Sequence, residues 1–267
     1  MKRHLKVIAN IFLTSIALSI LLGSFLRILG PINQSHRINK GINITGKSRR
    51  SVKKELLTRK SNLLSLYNDK LENFERLEKL INKWENHIIK NPGLDVSAFF
   101  ISLDDQVYAE IKSDIKLSAA SSIKVPILII LLRMLEKEEI IWNEKLILSE
   151  DVIGGGSGWM AYQEIGEIFP VYEVASEMIR VSDNTATNLL IKRLGGIKIV
   201  NQKFKEIGLN NTQINNYLPD LDGTNLTSTK DLSLAMALVD NGYLLNVSSR
   251  DIFREIMRKS KTNTLIP

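Results

Sequence analysis

Ser121 and Lys124 stand three residues apart at the head of an apolar run, Val125-Pro126-Ile127-Leu128-Ile129-Ile130-Leu131-Leu132. On a helix this spacing places both side chains on one face. The start of such a helix offers backbone N–H groups and a positive dipole end to a developing oxyanion. Apolar surroundings disfavour an ammonium ion, which lowers a lysine towards the range of a usable base. The chain holds only three histidines, His4, His36 and His87, and no cysteine. Chemistry in the last 180 residues therefore proceeds without imidazole or thiol, which removes Ser-His-Asp triads, Cys-His pairs and His-rich zinc sites. Lysine is then the natural activator of a serine nucleophile. The plain alternative is that Ser121 caps a helix, a role serine favours. The spacing also recurs at Ser113-Asp114-Ile115-Lys116, in a polar stretch with no apolar helix behind it.

Ser182-Asp183-Asn184 is the second group of interest. All three residue types favour helix starts, so capping is again the plain reading. The chemical reading assigns Ser182 as a second hydroxyl relaying a proton to a leaving group. Asn184 is then an amide that holds substrate, and Asp183 is buried and structural.

Several elements must position these residues. Helical periodicity is expected at 121–138, 170–180, 185–194, 197–207, 229–241 and 249–259. Val96–Leu103 and Gln106–Lys112 read as a hairpin turning at Asp104-Asp105. Apolar residues from Leu63 to Ile88 recur at helical spacing, which predicts a long amphipathic helix ended by Asn91-Pro92-Gly93. Gly154-Gly155-Gly156-Ser157-Gly158 matches neither dinucleotide nor phosphate-loop spacing and is expected to be a plain loop. No internal repeat is found.

The charge is unevenly spread. Residues 1–60 carry 13 Lys/Arg against one acid, Glu55, while the remainder carries 23 against 28 and is net −5. A domain of that sign with no basic stripe is a poor nucleic-acid binder. Val7–Leu26 is 20 residues long and mostly apolar, roughly 30 Å as a helix, and predicts an anchor or signal segment over 1–30. Lysines and arginines on its two sides leave its orientation open. Residues 31–60 read as a basic linker and 61–267 as the functional domain.

The two motifs together resemble the class A β-lactamase and penicillin-recognising serine hydrolase family, whose signatures are S-x-x-K, S-D-N and K-T-G. The resemblance extends through Leu117–Pro126, Gly155–Gly158 and Val181–Ile191, and runs from about Asp95 onwards. It implies an α+β fold: a mainly helical subdomain on a partial antiparallel sheet, preceded by the N-terminal membrane helix. It also implies acylation of Ser121 by a β-lactam or peptidoglycan-like substrate, with Lys124 and Ser182 moving protons and Asn184 contacting substrate. No metal or cofactor is implied, and the domain is expected to be exported, either membrane-anchored or released after signal cleavage.

Two departures qualify that expectation. In Asn216-Tyr217-Leu218-Pro219-Asp220-Leu221-Asp222, Leu218 stands where the family carries the glutamate that primes the deacylating water, and leucine cannot accept a proton. Asp220 and Asp222 are the nearby carboxylates that could substitute. Lys261-Thr262-Asn263 is a lookalike of K-T-G on no strand pattern, so the chain reads as truncated before that strand. Three functions stay open: a β-lactamase-type hydrolase, an acylating penicillin-binding or peptidase-like protein, and a non-catalytic membrane-anchored pseudoenzyme.

Overall fold

The computed structural model describes residues 71–261, all within a unit running from Leu56 to Pro267. The expected anchor at 7–26 and the linker at 31–60 lie outside the described residues, as do Thr262 and Asn263. Among the described residues no helix is long and apolar enough to cross a membrane.

Strand β1 (Glu75–Arg76) leads into helix α1 (Glu78–Lys90). Here the structure departs from the long helix expected over Leu63–Ile88. Residues 71–77 form a turn and strand because their backbone is drawn onto a neighbour, with Glu75 N donating to Gln106 O (2.9 Å) and Leu77 N to Tyr108 O (2.7 Å). Phe74 fits the helical spacing but packs on the core from this extended segment. Strands β2 (Ala98–Ser102) and β3 (Val107–Ile111) form the expected hairpin, antiparallel and pairing Phe100 with Ala109. β1 adds to β3 in parallel, so this three-stranded sheet is mixed rather than purely antiparallel.

After β4 (Leu117–Ser118), a 3₁₀ turn at Ala120–Ile123 runs directly into α2 (Lys124–Glu136). Ile127 to Leu132 are each at most 1% exposed. A helix apolar all round has to be surrounded. Each of those side chains contributes about 1.5–3 kcal/mol by leaving water. Pro126 is tolerated because it falls in the first turn, where its missing N–H has no intrahelical partner to lose.

A small hairpin, β5 (Lys145–Ile147) with β6 (Ile168–Pro170), brackets the glycine-rich loop. Helices α3 (Val171–Arg180), α4 (Asn184–Arg193) and α5 (Gly196–Glu206) follow, then β7 (Leu226–Thr227), α6 (Thr229–Asp240) and α7 (Val247–Arg258). α3 to α7 all pack on α2, while α6 also lies against β2 and links the helical layer to the sheet. Capping fixes several boundaries. Asp183 accepts from Ala186 N (2.9 Å), Ser228 from Asp231 N (3.1 Å) and Asn246 from Ser249 N (2.9 Å). The result is α+β, helix-dominated with a small sheet.

Candidate active site

Ser121 lies in the 3₁₀ turn at the mouth of α2 and is exposed, whereas Lys124, one turn on, is 2% exposed. The neighbouring Ser122 is turned away, donating its hydroxyl to Ala119 O (2.5 Å). Ser182 and Asn184 arrive from the α3–α4 junction, about sixty residues downstream. Ser182 Oγ donates to Ser121 Oγ at 2.9 Å. Lys124 Nζ donates to Ser121 Oγ (3.2 Å), Ser182 Oγ (2.8 Å), Ser182 O (2.7 Å) and Asn184 Oδ1 (2.9 Å). The four residues singled out in sequence thus share one hydrogen-bonded cluster.

The chemistry of these partners matters more than their number. Ser182 O and Asn184 Oδ1 are carbonyl oxygens that can only accept, and Asn184 is held in this sense because its Nδ2 donates to Gly155 O (2.9 Å). A neutral Lys124 has two N–H groups, and these two carbonyls take both. Its lone pair is then left facing the hydroxyls of Ser121 and Ser182. Burial lowers the Lys124 ammonium to about 8, against the opposing pull of the Asp183 carboxylate. The arrangement can therefore hold lysine as a base between two serine hydroxyls near neutral pH.

Backbone strain marks the same place. Ala120 (φ +43°) and Ser182 (φ +59°) both occupy the left-handed region, at a cost of about 1–3 kcal/mol each. Surrounding bonds must hold them there. Asp183, 1% exposed, accepts from Trp159 N (2.7 Å) and Met160 N (2.9 Å), and Asn184 N donates to Ser157 O (3.1 Å). The glycine-rich loop is therefore a loop, as its spacing implied, and also the wall against which the Ser182 turn is fastened. Glycine is required at 158: a Cβ there would lie 2.1 Å from the Asp183 carboxylate, at a φ of +98°. Gly154 is equally confined, by Leu218 O at 2.2 Å from such a Cβ.

Leu218 is 6% exposed, and its peptide bond to Pro219 is cis. Its backbone is clasped on both sides by Asn188 of α4, whose Oδ1 accepts from Leu218 N (2.8 Å) while Nδ2 donates to Leu218 O (2.6 Å). Sequence reasoning passed over Asn188, which sits among other polar residues in Asn184–Arg193 and shows its role only through its bonds to the distant Leu218 backbone. Asp220 is committed to its own loop, accepting from Thr224 Oγ1 (2.8 Å) and Asn225 N (2.5 Å). Against the upward push of burial, those bonds hold its carboxyl below its ordinary value. Asp222 is exposed. The second Ser-x-x-Lys match does something else, since Ser113 is buried and donates to Glu110 Oε2 (2.5 Å). Lys261 donates its backbone N–H to Arg180 O (2.9 Å), just beyond α7.

A family model described as the beta-lactamase enzyme family matches residues 76–267. The chain belongs to that family. Among curated members, Beta-lactamase BRO-1 of Moraxella catarrhalis is 26% identical over 202 residues, covering 72% of this chain and 62% of the relative. Beta-lactamase ROB-1 of Haemophilus influenzae is 35% identical over 83 residues, 30% of this chain and 27% of the relative. The chain thus spans less than two thirds of the length of these curated relatives. Among solved structures, PBP-A superposes with a TM-score of 0.71 at 39% identity, covering 73% of each chain. A leucine-to-glutamate mutant of PBP-A, solved as an acyl-enzyme complex with penicillin G, gives 0.69 at 38% identity, over 71% of this chain and 72% of that one. An ancestral class A beta-lactamase, at 18% identity and a TM-score of 0.61, shares the fold. The expected β-lactamase-type α+β fold is what the family member has.

Proposed function

We propose that this chain forms a covalent acyl-serine adduct with β-lactams, in the manner of class A serine enzymes, and releases it slowly. Lys124 Nζ takes the Ser121 hydroxyl proton while Ser121 Oγ attacks the ring carbonyl. The carbonyl–nitrogen bond then breaks, and the departing nitrogen takes the Ser182 hydroxyl proton, which Lys124 replaces. Asn184 orients the acyl side chain. The observation that carries this reading is the placement of one buried amine between two serine hydroxyls, with its N–H groups claimed by carbonyls. Family membership and the penicillin G acyl-enzyme of the PBP-A mutant support it.

Release of the acyl group needs a base for water, and Leu218 supplies none while Asp220 is bound within its loop. That favours a penicillin-binding or peptidase-like acylating protein over a rapidly hydrolysing β-lactamase. The experiment is labelling with a fluorescent penicillin, followed by chase. A persistent label on wild-type protein and none on Ser121→Ala supports the proposal; wild-type protein that stays unlabelled refutes it. On the same reading the domain works outside the cytoplasm, tethered through residues 7–26. Full-length chain recovered in the soluble fraction after carbonate extraction counts against the tether.

A further inference from the structure

The turn bearing Ser182 is held from behind by a residue that the mechanism above does not use. Glu177 lies on α3, with its side chain 11% exposed. Its carboxylate accepts from Arg180 Nε (2.6 Å), Arg180 Nη2 (2.5 Å) and Trp159 Nε1 (2.6 Å). Its backbone carbonyl accepts from Val181 N (3.3 Å) and Asp183 N (3.2 Å), the residues on either side of Ser182. An exposed i,i+3 ion pair on a helix is worth little by itself. This carboxylate differs because its third donor comes from a segment 18 residues upstream.

These bonds close a ring. The Glu177 carboxylate holds the Trp159 indole, Trp159 N donates to the Asp183 carboxylate, and Asp183 N donates back to Glu177 O. Ser182 hangs from that ring at φ +59°, a conformation that persists only where its surroundings over-determine it. The Trp159 ring is fixed in turn by edge-on contact with Phe169 (centroids 5.9 Å apart). We infer that Glu177 is a positioning residue, acting through Trp159 and Arg180 to hold Ser182 against Ser121 and Lys124. Its kinetic consequence rests on the acyl-serine reading; its structural consequence does not.

Two variants test this. Glu177→Gln keeps the shape but turns an N–H donor towards the donors of Arg180 or Trp159. Trp159→Phe keeps the aromatic contact and removes only the indole N–H. The ligand-free readout is the NMR titration of Lys124 in protein carrying ¹³Cε-lysine, assigned with Lys124→Arg. If the ring holds Ser182 over the amine, loosening it admits water. The Lys124 midpoint should then rise by roughly 0.5 units or more in Glu177→Gln, and less in Trp159→Phe. The kinetic readout is the second-order rate of labelling by a fluorescent penicillin, expected to fall about 10–100-fold and about 3–10-fold respectively, beyond any change in folded fraction. An unmoved Lys124 titration in both variants overturns the inference, whatever the labelling does. A shifted titration in a protein that takes no label at all would sustain the positioning role and sink the acyl-serine reading.

Discussion

The Lys124 cluster and the 216–225 loop are both fastened to α4, through Asn184 and through Asn188 one turn on, yet their polar groups are used in contrasting ways. In the cluster, hydroxyls and amine bond to one another across short distances, so a proton can pass among Ser121, Lys124 and Ser182. In the loop, polar groups bond to the loop itself or to its anchor: Asn188 to the Leu218 backbone, and Asp220 to Thr224 and Asn225. One region sets exchangeable protons side by side, while the bonds of the other hold its shape. Both are well formed, so a leucine at position 218 does not require the loop to come apart. Positioning and chemistry are separable here, because Asn188 holds residue 218 by its backbone and is indifferent to its side chain.

Tests of this contrast can be ranked by effect. Ser121→Ala should abolish covalent penicillin labelling completely, read by fluorescence on a denaturing gel. Residual label at full rate would place the nucleophile elsewhere. Lys124→Met, similar in volume but unable to carry a proton, should slow labelling by about 10²–10⁴-fold; an unchanged rate would dissolve the proton-relay reading of the cluster.

Leu218→Glu addresses the other region. It returns a carboxylate to a backbone already held in place, and should shorten the adduct lifetime by roughly 10²-fold in a chase experiment. Rapid nitrocefin turnover by the unaltered chain would break the contrast outright, since it would require a base other than residue 218 and the loop-bound Asp220. Asn188→Ala should leave the Leu218 N–H and C=O without partners in a buried setting. The expected loss is about 2–4 kcal/mol of stability by denaturant unfolding, while the Lys124 cluster keeps its own bonds.

The smallest effect concerns pH. On the proposed acyl-serine reading acylation requires neutral Lys124, and burial lowers that group to about 8. Labelling should therefore rise with pH, by about 10-fold from pH 7 to pH 9, and level off above that. A profile flat across this range would show that Lys124 is not the base.

Much of the fold was legible because α3, α5 and α7 carry helical periodicity and because α4, α6 and α7 start at the capping residues Asp183, Ser228 and Asn246. The segment before Glu78 was misread because Phe74 and Leu77 obey helical spacing while the backbone N–H groups of Glu75 and Leu77 donate to Gln106 and Tyr108, in a distant hairpin invisible to a local pattern. Ser121 and Lys124 could be paired from spacing, since one helical turn fixes which side chains are neighbours. Glu177 and Asn188 could not. Each acts on a segment 18 to 30 residues away, and nothing local distinguishes them from ordinary polar residues on helices.

By itself the sequence determined that a serine and a lysine would stand one turn apart at the mouth of a buried helix, that no thiol of this chain could assist them, and that residue 218 would carry no proton. Those are matters of residue identity and of periodicity within a single turn. Only the tertiary structure decided that Ser182 and Asn184 arrive at that helix from sixty residues away, that their carbonyls take the lysine N–H groups, and that Trp159, Glu177 and the glycine-rich loop fasten the turn that brings them. Such contacts depend on how α3 and α4 pack against α2. That packing is fixed by the burial of many apolar side chains at once, and no short stretch of the chain encodes it alone.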